Sequence, residues 1–187
     1  MIAFALALQL SAASPLSREI DCPILEIGLS PSTLDALAKS VDQPNADAAV
    51  TAKAELRKAI TQCGELHRWS KNKAAASAYF FTGKIESNRA KTMLAPFGIS
   101  YDLFDNYYST LTPDQKLAAV RGETPAMRDM IRMLATNGFL IHGWPDDKIR
   151  QLGRAAGAVF NARWYMEEAV VSFEGDGLFR SPLKVGP

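Results

Sequence analysis

The chain has few of the residues that most often carry chemistry. Only two cysteines and two histidines stand among its 187 residues, and no Cys-x-x-Cys-His occurs, which excludes a c-type haem in its usual attachment. No Gly-x-Ser-x-Gly is present to set a serine nucleophile on a strained turn, and no glycine-rich phosphate loop is found. Glu174-Gly175-Asp176-Gly177 is too short and too poor in oxygen ligands to be a calcium loop. Basic residues barely outnumber acidic ones, 21 against 20, so the cationic stripe that a nucleic-acid binder needs is missing. No apolar run reaches the ~20 residues that span a bilayer. No stretch alternates strictly enough to read as a strand, although Ile24 to Ile27 has the composition of a short one.

What is present begins at the amino terminus. Ile2 to Leu10 is an apolar run, and Ser11-Ala12-Ala13 places small side chains where a signal peptidase reads them. The pattern predicts a secretory signal peptide over residues 1–13 and a product that is periplasmic or secreted. No lipobox cysteine lies at the cleavage site, so no stable membrane anchor is expected after the leader is removed. In an oxidising compartment the pair Cys22 and Cys63 reads first as a disulfide. It would close a loop of about forty residues, worth about 4 kcal/mol through the entropy of the unfolded chain.

The remainder reads as helices. Ala49, Ala52, Leu56, Ala59, Cys63 and Leu66 recur at steps of three and four, the period of a packed helix face. A second helix is expected from about 72 to 94, with Ala75, Tyr79, Ile85 and Met93 turned inward and Ala95-Pro96-Phe97-Gly98 as its stop. Ser100 is placed to cap a short helix. Thr112-Pro113 and Thr124-Pro125 each pair a cap with a proline suited to a first turn. Asp146 and Asp147 open a last long helix whose apolar stripe, including Leu152, Val159, Phe160 and Phe173, is broken by Arg163. The fold class is therefore all-α: a single compact helical domain of about five to seven helices with an extended amino-terminal arm. The expected divisions are signal peptide 1–13, arm 14–30, helical domain 31–173 and irregular tail 174–187.

Few constellations carry chemical meaning. Cys63 and His67 lie four apart on one helix and supply half of a zinc site. The other half would have to come from Cys22, His142 or an acid brought in by folding, and a disulfide at Cys63 removes the ligand, so no metal is expected. His142 stands beside Trp144 in a helix–helix connection, where a loop can present it to solvent. Phe97, Tyr101, Phe104, Tyr107 and Tyr108 line a groove with Trp144 or close the core. Met127, Met130 and Met133 read as core filler. Gly153 and Gly157 give the last helix a smooth face that a neighbouring backbone can approach. Glu86-Ser87 resembles the dipeptide at the catalytic acid of lytic transglycosylases, without that family's glycine-rich continuation after Lys91.

These observations favour an exported, non-enzymatic interaction or ligand-binding module that takes an unidentified protein or a small apolar ligand and needs no cofactor. The alternative is a periplasmic hydrolase that uses His142 with a carboxylate such as Glu86.

Overall fold

The structure, a computed structural model, describes residues 15–41, 46–139 and 143–180. Among them are nine α-helices and one 3₁₀ turn, and no strand. The order is α1 (Pro15–Ile20), α2 (Cys22–Leu25), α3 (Pro31–Lys39), α4 (Asp47–Leu66), α5 (Lys71–Leu94), the 3₁₀ turn Ala95–Phe97, α6 (Tyr101–Ser109), α7 (Pro113–Val120), α8 (Thr124–Thr136) and α9 (Asp146–Glu174). The all-α class stands. The leader segment 1–13 and His142 lie outside the described residues.

The two longest helices, α5 and α9, run against each other and form the spine. On one side α3 and α4 pack on α5, and on the other α6 and α7 pack on α9. Being covered from two directions, α5 has no single apolar stripe. Its buried residues are Ala76, Ser77, Phe81, Gly83, Ser87, Ala90 and Leu94, whereas Tyr79 is exposed and Ile85 and Met93 are only partly covered. The inward set expected from periodicity was thus displaced around the helix, because small residues select the face that meets α9.

The tightest point of that crossing is Gly83. A Cβ there would fall 2.6 Å from Met166 Cγ and 2.8 Å from the Ala162 carbonyl oxygen. The smooth face expected at Gly153 and Gly157 does not do this work. Nothing lies within 4 Å of a Cβ built on Gly157, and Gly153 would meet only the flexible end of Met127 at 3.3 Å.

The arm is helical where the sequence reading expected it to be extended. Ile20 and Cys22 are fully buried, and Pro23 sits in the first turn of α2, where its missing N–H costs nothing. No strand forms at Ile24 to Ile27, because the chain there is closing the α2 turn and its backbone N–H groups bond to carbonyls of Asp21 and Cys22. Of the two threonine starts, Thr112 makes a full capping box with Gln115, but Thr124 is already inside α8 and Glu123 holds the cap position.

Burial divides among three clusters. The largest joins the carboxyl-terminal half of α5 to α6, α7, α8 and α9, with Phe104, Tyr108, Met130, Leu134 and Phe160 in its interior. Ile20, Ala76, Ala169 and Phe173 form a second where α1 meets the ends of α5 and α9. Leu29, Leu34, Ala59 and Phe81 form a third under α3 and α4. Among the described residues no helix is long and apolar enough to cross a membrane.

Candidate functional site

The aromatic residues expected to line a groove separate into two groups. Phe104 and Tyr108 are fully buried and pack on Phe160 at ring distances of 6.2 and 5.9 Å. They close the core, because α6 lays its apolar side directly on α9. Phe97 instead stacks on Trp144 at 5.9 Å, with the Lys148 ammonium 3.8 Å above the indole. Tyr101 is partly covered and lies under Lys91.

Arg163, the interruption in the α9 stripe, serves the same region. Its guanidinium approaches Asp105 at 3.0 Å and Glu167 at 3.4 Å, and Lys116 reaches the other oxygen of Glu167 at 2.9 Å. The Arg163–Asp105 approach is an ion pair whose N–H direction misses the oxygen, so those two atoms form no directed hydrogen bond. The Tyr108 hydroxyl is buried without a partner, and the buried Tyr101 hydroxyl faces Ser87 without a well-directed hydrogen bond. Burial raises the ionisation of both above the ordinary phenol value, Tyr108 most strongly. This seam ties α6, α7 and α9 together by charge.

The two candidate hydrolytic groups are placed unequally. Glu86, on α5, accepts from Arg89 at 3.4 Å and is neutralised within its own helix. His142 is not among the described residues. At the other histidine, Cys22 and Cys63 are joined, with Cα atoms 6.1 Å apart and both side chains fully buried. One turn beyond Cys63, His67 Nε2 lies 3.0 Å from Glu26 and its ring stacks on Trp69 at 6.1 Å. Trp69 in turn donates to Glu19 at 2.8 Å.

A concave site appears where the sequence offered no motif. Asp35, Ala38 and Lys39 from α3, Asn88, Arg89, Thr92 and Met93 from α5, and Arg154 from α9 surround a groove of about 630 Å³, within the range of small-molecule sites. Three of these side chains are cationic and one is a carboxylate. Asp35 is occupied by the Asn88 amide at 2.8 Å, and Arg89 leans toward Glu86. Lys39 and Arg154 form no ion pair among the described residues. Ala38 and Met93 supply apolar surface between the charges.

Helix packing alone assembles this set. On α3, Asp35 and Lys39 are four apart and share a face. On α5, Asn88, Arg89, Thr92 and Met93 are two adjacent pairs one turn apart, and Arg154 reaches the same space from α9. Nothing in the local sequence around Lys39, Arg89 or Arg154 distinguishes them from solvated surface cations, so no sequence signal would have found them. The chain matches no known family model, no curated protein and no solved structure.

Proposed function

We propose that the protein is exported and acts as a non-enzymatic ligand-binding module, with the groove between α3, α5 and α9 as its binding site. The observation that carries this reading is the charge of that groove, where Lys39 and Arg154, beside an Arg89 already paired with Glu86, face one carboxylate that is already hydrogen-bonded. A lining of that sign takes a small anion, and the Ala38 and Met93 surface favours a carboxylate with a short apolar chain. This proposed ligand is more polar than the small apolar molecule that the methionine and aromatic clusters suggest. Export is supported by the leader pattern of residues 1–13 and by the Cys22–Cys63 bridge, which an oxidising compartment preserves.

Two measurements test the parts separately. For the address, the intact mass of protein expressed with its own leader and recovered from the periplasm should show loss of Met1 to Ala13, and its thiols should alkylate only after reduction. An uncleaved chain with freely alkylating thiols sinks the export reading. For the groove, octanoate and inorganic phosphate are titrated by calorimetry against wild type and a Lys39→Ala/Arg154→Ala double variant. Hydrogen bonds to charged groups contribute roughly 1.5–3 kcal/mol, and 1.4 kcal/mol is a factor of ten. The double variant should therefore bind octanoate at least about tenfold more weakly, and wild-type affinity should fall with salt. Equal binding by the two proteins refutes the site.

A further inference from the structure

The junction of α2 and α4 holds two donor pairs of the same design. Cys22 and Glu26 are four residues apart on α2 and its C-cap, and Cys63 and His67 are four apart on α4 and its C-cap. Residues at that spacing share a helix face, and the Cys22–Cys63 bond holds the two faces against each other. The Cys22 sulfur, a Glu26 carboxylate oxygen and a His67 ring nitrogen all lie within 4.8 Å of one another. The Cys63 sulfur is bonded to the first of them. Donors around a tetrahedral zinc, at bond lengths of about 2.0–2.3 Å, sit roughly 3.3–3.8 Å apart. A zinc shell therefore requires the Glu26 and His67 side chains to turn toward the two sulfurs.

We infer that the reduced chain binds a zinc(II) ion through Cys22, Glu26, Cys63 and His67. The disulfide and the metal are then alternative staples for one junction, since a disulfide sulfur has no thiolate to offer. The exchange balances with a dithiol reductant, which gives two electrons and two protons to cleave the S–S bond and is itself oxidised to a disulfide. Zinc then displaces the two thiol protons. The sulfurs are fully buried, whereas the Glu26 and His67 side chains are 41% and 27% exposed and provide the way in for the ion. The inference is independent of the groove.

The full chain, reduced with a phosphine that does not chelate metals, is titrated anaerobically with cobalt(II) and then zinc(II). The expected result is a thiolate-to-cobalt charge-transfer band with intense visible bands of tetrahedral geometry, reached at one equivalent and displaced by one equivalent of zinc. Zinc should also protect both thiols from alkylation, and the oxidised chain should do neither. Loss of even the hydrogen-bond partner of a ligand costs about 10–100-fold in metal affinity, so His67→Gln, which leaves the buried cysteines in place, should weaken zinc binding at least about tenfold. A reduced chain that stays helical without a tetrahedral cobalt spectrum overturns the inference. So does a chain that unfolds on reduction and is not restored by zinc, or equal zinc affinity in wild type and His67→Gln.

Discussion

Replacing Gly83 by alanine tests the central helix crossing directly. The added Cβ would stand 2.8 Å from the Ala162 carbonyl oxygen and 3.1 Å from the Met166 backbone nitrogen, and ordinary contact begins at 3.4 Å. The α9 backbone therefore has to retreat by roughly 0.6 Å along a crossing shared by the two longest helices. Overpacking of this kind costs about 1–3 kcal/mol, and a backbone obstacle places Gly83 at the upper end. Alanine recovers about 1 kcal/mol of helix propensity. The net loss is about 2 kcal/mol, or a Tm lower by about 4–8 °C at this chain length. Gly157→Ala is the matched control, because its Cβ meets nothing within 4 Å and it retains the propensity gain of up to about 1 kcal/mol. Urea unfolding followed by circular dichroism compares the three proteins, with an unchanged m-value required for the comparison to hold. If Gly83→Ala is as stable as wild type, or if both alanines shift stability in the same direction, the close approach of α5 to α9 is refuted.

Three further outcomes follow from the same geometry. Reducing the Cys22–Cys63 bridge in the absence of metal should cost about 4 kcal/mol for a separation of 41 residues, measured as a lower urea midpoint with reductant; a shift below the error of the fit contradicts the loop-closure account. Stability should decline in alkaline solution. The folded chain holds the Tyr108 proton above pH 10, where an unfolded tyrosine loses it, so the contribution is complete below pH 10 and is lost as pH rises toward the raised folded value. Tyr101, Tyr107 and Tyr165 are shifted in the same direction by burial. Tyr108→Phe should therefore flatten the alkaline decline and, by removing a buried hydroxyl without a partner, raise stability near neutral pH by about 1 kcal/mol; urea midpoints across the alkaline range decide it, and a destabilised variant would reveal a hydrogen bond to that hydroxyl. Thr112→Ala should cost about 1 kcal/mol through loss of the capping box with Gln115, and thermal unfolding checks it.

Helix content was legible because its causes are local. The three-four stepping from Ala49 to Leu66 needs only one amphipathic face, and Ala49, Ala52, Ala59 and Cys63 are buried in α4, whereas Leu56 is partly covered and Leu66, at the last turn, is exposed. Ser30, Ser100 and Thr112 cap their helices through side-chain oxygens, an interaction spanning two or three residues. The disulfide was legible for a different reason, since with two cysteines there is only one pairing to draw.

What local reasoning missed depends on neighbours distant in sequence. The arm became helical because Ile20 and Cys22 had a core to enter, and core burial overrides weak propensity in short segments. The inward face of α5 could not be read from its own periodicity, because α9 covers one side and α3 and α4 the other. Arg163 looked like a flaw in an apolar stripe until Asp105 and Glu167 were placed beside it. The groove depends on the tertiary structure most completely. Lys39, Arg89 and Arg154 come from three helices, and each reads alone as a solvated cation. The sequence by itself determined the long helices from α4 onward, through interactions that act within a turn or two of the chain, and which sulfurs can pair. Only the packing of α3 and α9 onto α5 decided which charges share a cavity, because their mutual field acts through space and has no period along the chain.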